Sequence, residues 1–117
     1  MKYGIAIALA LLFSISCARA GDLAVYGSGN MTCSGWTFAR EERTPDGFDA
    51  TMLLSVENWI FGYVSAANVY DLHFPSGYEV GRETYLEIDG YCRTHPDDKI
   101  SVATKALVAH LRNGKTD

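Results

Sequence analysis

The clearest apolar pattern in this chain lies between residues 52 and 70. Met52, Val56, Trp59, Ile60, Tyr63, Ala67 and Tyr70 recur three and four apart, which paints one stripe on a helix. Asp49 stands where it can cap that helix. On a neighbouring face Gly62 and Ala66 are small and four apart. Either another helix backbone comes close there, offsetting about 1 kcal/mol of lost helix propensity at glycine, or the glycine is tolerated. A shorter helix is predicted from Thr32 as N-cap, with Cys33, Trp36 and Arg40 on one face. A third spans Glu79 to Arg93, with Tyr85, Ile88 and Cys92 on its face, Leu86 beside them and Pro96 as its stop. A fourth runs from near Ser101 to Arg112, with Ala103, Ala106, Leu107 and Leu111 as its stripe and Asn113-Gly114 at its end. Leu23 to Tyr26 reads as a short edge segment or an extended arm. The segments 44–47 and 71–77 are turns by their proline and glycine.

The first twenty residues read differently. Lys2 precedes an unbroken apolar run from Ile5 to Phe13, and Ala18-Arg19-Ala20 follows. A charged start, a short apolar core and a small-x-small site make a secretory signal peptide, cleaved between Ala20 and Gly21. The run is shorter than the roughly 20 apolar residues that span a bilayer. The alternative is a lipoprotein anchored through Cys17, although Ser14 stands where such boxes usually carry leucine. Cleavage leaves Cys33 and Cys92, and an even count in a small exported domain implies a disulfide. Such a bridge would close a loop of about 60 residues and stabilise the fold by roughly 4 kcal/mol. The expected architecture is all-α, a small bundle of about four helices stapled by one disulfide. It forms a single domain over residues 21–117 behind a leader at 1–20.

Charge narrows the functions. The whole chain carries −4, and loss of Lys2 and Arg19 leaves eight basic against fourteen acidic residues, or −6. That balance argues against nucleic acid and anionic lipid and allows a basic protein partner. No second apolar stretch follows the leader, so no membrane span is expected. His73, His95 and His110 lack metal-ligand spacing, and His95-Pro96-Asp97-Asp98 reads as a helix stop followed by a helix start. No nucleophile elbow, phosphate loop or dinucleotide motif occurs. Neither an enzyme, nor a metal site, nor a cofactor is expected.

Three pieces carry a resemblance. They are Cys33-Ser34-Gly35-Trp36 with Arg40, then Trp59 to Asn68 (WIFGYVSAAN), then Ile88 to Pro96 (IDGYCRTHP) with the terminal helix holding Ala103 and Leu107. Over residues 33–112 the chain resembles the Rap/Tai type of small periplasmic helical proteins, immunity proteins against type VI secretion effectors that cut peptidoglycan. The resemblance implies an all-α fold bridged by Cys33 and Cys92, and a periplasmic protein that sterically inhibits a cell-wall hydrolase such as an amidase. The layout is also similar to the acid-stress chaperones of enteric bacteria, which keeps a chaperone or an envelope-homeostasis protein as the alternative. Under the first reading, the loop from Asp71 to Tyr78 is the expected contact surface, with His73, Phe74 and Tyr78 as its anchors. A homodimer is also expected to be possible, because the long second helix has small and apolar faces that one small domain need not cover.

Overall fold

A computed structural model describes residues 24–41, 48–75 and 81–114. The leader, Cys17, the Ala20–Gly21 cleavage site, the 44–47 turn and Tyr78 lie outside the described residues. The described chain forms four α-helices: α1 (Cys33–Glu41), α2 (Phe48–Ala67), α3 (Arg82–Thr94) and α4 (Ile100–Gly114). A 3-10 turn at Gly27–Asn30 precedes α1, and a π-helical turn at Asn68–Leu72 extends α2. Among the described residues no helix is long and apolar enough to cross a membrane.

Thr32 caps α1 as its sequence position predicts. Its Oγ1 accepts the Gly35 N–H at 3.2 Å, the reach expected of an N-cap side chain. The next two free donors of α1 go to the loop between α3 and α4. Cys33 N–H donates to the Asp98 carbonyl at 2.7 Å and Ser34 N–H to the Pro96 carbonyl at 2.9 Å. The helix start is thus satisfied by the segment His95 to Asp98, which acts as stop and start between helices.

Cys33 and Cys92 form the disulfide, with Cα atoms 4.8 Å apart and a sequence separation of 59. Both are buried in a core built from Trp36, Val56, Ile60, Val64, Leu72, Ile88, Ile100, Ala103, Leu107 and Val108. The bridge ties α1 to α3 at the centre of this core, so it fixes the pair whose contact the other helices cover.

Three details depart from the apolar pattern, each for a physical reason. In α2 the stripe holds through Val56 and Ile60 and continues at Val64, but Tyr70 is 84% exposed. The π turn inserts one residue into the helical winding. The buried position after Val64 therefore falls on Leu72, and Tyr70 rotates out to solvent. In α4, Ala106 is exposed while Thr104 and Val108 are buried. Thr104 tolerates burial because its Oγ1 donates to the Ile100 carbonyl at 2.8 Å, one turn back. On the outer face of α2, a Cβ at Gly62 would meet no described atom within 4 Å. Among the described residues, then, no helix approaches at Gly62, and the glycine is accommodated there.

The N-terminal segment is an arm. The Trp59 Nε1–H donates to the Tyr26 carbonyl at 2.9 Å. The Gly29 backbone lies flat on the same indole, so close that a Cβ there would stand 2.3 Å from Cζ2. Gly27 has φ of 74°, in the left-handed region that favours glycine. These contacts hold the arm across α2.

Candidate functional site

The end of α2 gathers the features of a contact surface. The π turn Asn68–Leu72 is followed by His73 in a left-handed conformation, with φ 56° and ψ 40°. That geometry is uncommon outside glycine, although His, like Asn and Asp, adopts it more readily than most residues. Here three hydrogen bonds hold it. His73 N–H donates to the Asn68 carbonyl at 2.9 Å. The Asn68 side chain then grips the next residue, accepting the Phe74 N–H at Oδ1 at 2.8 Å and offering Nδ2 to the Phe74 carbonyl at 3.4 Å. On the far side Arg112 of α4 pairs through Nε and Nη2 with the Asp71 carboxylate. The loop is therefore fastened at both Asp71 and Phe74.

What this frame presents is apolar and aromatic. Val69 and Tyr70 are largely exposed, and His73 and Pro75 are exposed beside them. Phe74 is half-buried and packs on the core. It forms one wall of a groove of about 350 Å³, with Phe61, Val64 and Ser65 on the other side. Of the three expected anchors, His73 is thus available at the surface, Phe74 is partly committed to the core, and Tyr78 lies outside the described residues. The apolar spacing places Tyr70 on the buried stripe of α2, whereas the fold exposes it together with Val69. Only the inserted residue of the π turn exposes Tyr70, and nothing in the spacing of apolar positions announces it.

A second cluster lies between α1 and α3. The Asp89 carboxylate accepts the Trp36 Nε1–H at 2.7 Å and the Arg40 Nε–H at 3.0 Å through Oδ1. Its Oδ2 accepts Arg40 Nη2 at 2.6 Å. The guanidinium carbon stands 5.3 Å from the Trp36 ring centre and 5.9 Å from that of Tyr85, within the range of cation–π attraction. The hydrogen bond to Asp89 raises the Arg40 pKa, against the opposing effect of burial. Burial, with Glu57 adding to it, pushes the Tyr85 phenol up to about 12, which Arg40 opposes. A bidentate pair with this orientation spends the charge of Arg40 inside the fold. The cluster therefore locks α1 onto α3 beside the disulfide. Trp36 lies three residues after Cys33 and Asp89 three residues before Cys92, so the bridge itself brings them together.

His95 stacks on Tyr91, with ring centres 4.2 Å apart, and His110 pairs with Glu87 at 2.9 Å. Among the described residues no three His, Cys, Asp or Glu side chains converge as metal ligands would. Comparison with protein-family models, with curated proteins and with solved structures finds no match to this chain.

Proposed function

We propose that this protein is an extracytoplasmic binding protein that neutralises a peptidoglycan-cleaving toxin by occupying its cleft, in the manner of an immunity protein. The observation that carries the reading is the fastened loop at the end of α2. Tyr70 and His73 stand out from a backbone held by Asn68 and by the Asp71–Arg112 pair. A loop held in one shape loses little entropy on binding, which is how a short segment gains affinity. Exposed aromatic groups are the usual anchors of such contacts. The leader-like N-terminus, the disulfide and the motif resemblance support the same address and class. The rigid helical body serves as the mount, and the inhibition is steric, with no chemistry asked of the protein.

The test is an inhibition assay with the hydrolase captured from the envelope. The protein should abolish its cleavage of peptidoglycan at about one-to-one stoichiometry, and the double substitution Tyr70→Ala with Phe74→Ala should weaken that inhibition. Unchanged inhibition by the double variant would remove this loop from the mechanism. Failure to capture any hydrolase would remove the reading itself.

A further inference from the structure

We infer that α2 is the seam of a homodimer, in which two copies of this chain cross antiparallel at Gly62 and each seats Leu54 in the groove beside the other's Ser65 and Val69. The inference goes beyond the proposed function and does not rest on it, and it uses neither Tyr70 nor His73.

A helix on the surface of a small domain turns an apolar stripe inward and charged groups outward. Three helices here do so. Glu41 on α1, Arg82 and Glu83 on α3, and Lys105 on α4 are exposed. The outer face of α2 is different. From Thr51 to Ala66 every exposed residue is uncharged, and Leu54 among them is 57% exposed. Glu57, the one charge in that span, is half-buried and acts on Arg40 and Tyr85. The exposed residues Leu54, Asn58, Gly62, Ser65 and Val69 follow one another three or four positions apart. They make one ridge about 22 Å long at a rise of about 1.5 Å per residue.

Charge and shape together select a second copy. The chain carries −4, so two copies repel in most orientations, and the uncharged ridge is where that repulsion is least. The ridge is lowest at its centre, where Gly62 has no side chain and a Cβ would meet no described atom within 4 Å. Leu54 projects eight positions before Gly62. The groove of about 350 Å³ lined by Phe61, Ser65, Val69 and Phe74 lies mostly after it. At about 100° of turn per residue, Leu54 and the Phe61 wall of the groove fall on the same side of a line along the helix through Gly62. A two-fold axis at Gly62, perpendicular to the helix, reverses the direction of the partner and keeps that side. Each Leu54 therefore meets the other copy's groove. The contact is made twice, as a closed isologous interface requires. A parallel pair would set Leu54 against Leu54 and leave both grooves empty. The N-terminal arm, held at Ser55 and Trp59, flanks the opposite side of the ridge.

One helix pair of this length covers less than the roughly 1,200–2,000 Å² of stable interfaces, so the dimer forms with a Kd on the order of 100 µM. The experiment is sedimentation velocity of the disulfide-bonded protein from about 10 µM to about 1 mM, a range that brackets that Kd. The mass should rise from monomer to dimer. Leu54→Glu removes the projecting group and adds like charge, and Gly62→Leu parts the two backbones. Each should raise Kd about tenfold or more. Leucine is the better helix former, so loss of the dimer in Gly62→Leu is not loss of the fold. Val102→Glu, an exposed apolar position on α4, should leave Kd unchanged. Isotope-filtered NMR on a mixed-label sample should then show Leu54 methyl contacts to Val69 of the other copy. A monomer throughout the range, a dimer indifferent to both α2 substitutions, or Leu54–Leu54 contacts would each overturn the inference.

Discussion

The Asn68 side chain holds the Phe74 main chain at both ends, accepting its N–H at 2.8 Å and facing its carbonyl at 3.4 Å. The two are six positions apart, and the rest of the π turn and the left-handed His73 lie between them. An amide side chain here stands in for a backbone partner where the helix runs out. The shape of the exposed segment that follows Ala67 rests on this contact together with the Asp71–Arg112 pair.

Removing it should loosen the loop without unfolding the bundle. Asn68→Ala is expected to lose about 1–2 kcal/mol of stability, the worth of two partly exposed hydrogen bonds. Urea denaturation gives the stability. Limited proteolysis should show faster cleavage after Val69 to Pro75. If cleavage there is unchanged, Asn68 is not what holds the loop.

Asp89 serves Trp36 and Arg40 together, so its loss leaves an indole N–H and a guanidinium without their partner. Asp89→Ala should cost about 2–3 kcal/mol, discounted from a fully buried pair because Arg40 keeps some access to water. Asp89→Asn keeps an acceptor for Trp36 and should cost less. Equal midpoints for the two variants in denaturant would place the stabilisation elsewhere.

Gly29→Ala forces a methyl into the Trp59 ring, where a Cβ would stand 2.3 Å from Cζ2. Because the arm rather than the core has to yield, the expected cost is about 1–3 kcal/mol. Trp59 fluorescence should shift as the arm lifts and the Tyr26 contact is lost. An unaltered emission spectrum would mean the arm does not rest on Trp59 in solution.

Alkali should weaken the fold through Tyr85. Its phenol is pushed up to about 12 in the folded chain, chiefly by burial, against 10.0 when unfolded. A raised pKa means the folded state holds the proton where the unfolded state has lost it. The contribution is therefore intact below pH 10 and is lost as pH rises from about 10 to about 12. Tyr85→Phe should flatten that fall in stability. The hydrogen bond to Asp98 raises the Tyr91 pKa in the same direction, so part of the fall persists in that variant. An identical pH profile in Tyr85→Phe would contradict this account.

Much of the fold was legible in the sequence because apolar spacing and caps are local signals. Thr32 caps as its position indicates, the four helices fall near their expected bounds, and Cys33 and Cys92 pair as two cysteines in such a chain should. What was not legible depends on contacts made across the fold. The buried Thr104 needs its own backbone bond to be tolerated, and hydrophobic patterning does not count it. The π turn displaces one residue and so exchanges Tyr70 for Leu72. The Trp36–Asp89 contact was readable in principle, since a buried indole N–H seeks an acceptor and both residues lie three positions from the bridge. Of the expected contact loop, Asp71 and Leu72 belong to the π turn and Tyr78 lies outside the described residues, and among the described residues there the exposed aromatic group is Tyr70, while Phe74 turns half inward.

The measurement that bears most directly on the proposed function is a pull-down of the tagged protein from the periplasm at neutral pH, repeated after an acid shift, with eluates identified by mass spectrometry. The account predicts one stoichiometric cell-wall hydrolase at neutral pH, lost when Tyr70 and Phe74 are replaced by alanine. Many substoichiometric clients, captured only in acid, would contradict it and assign the protein to the chaperones.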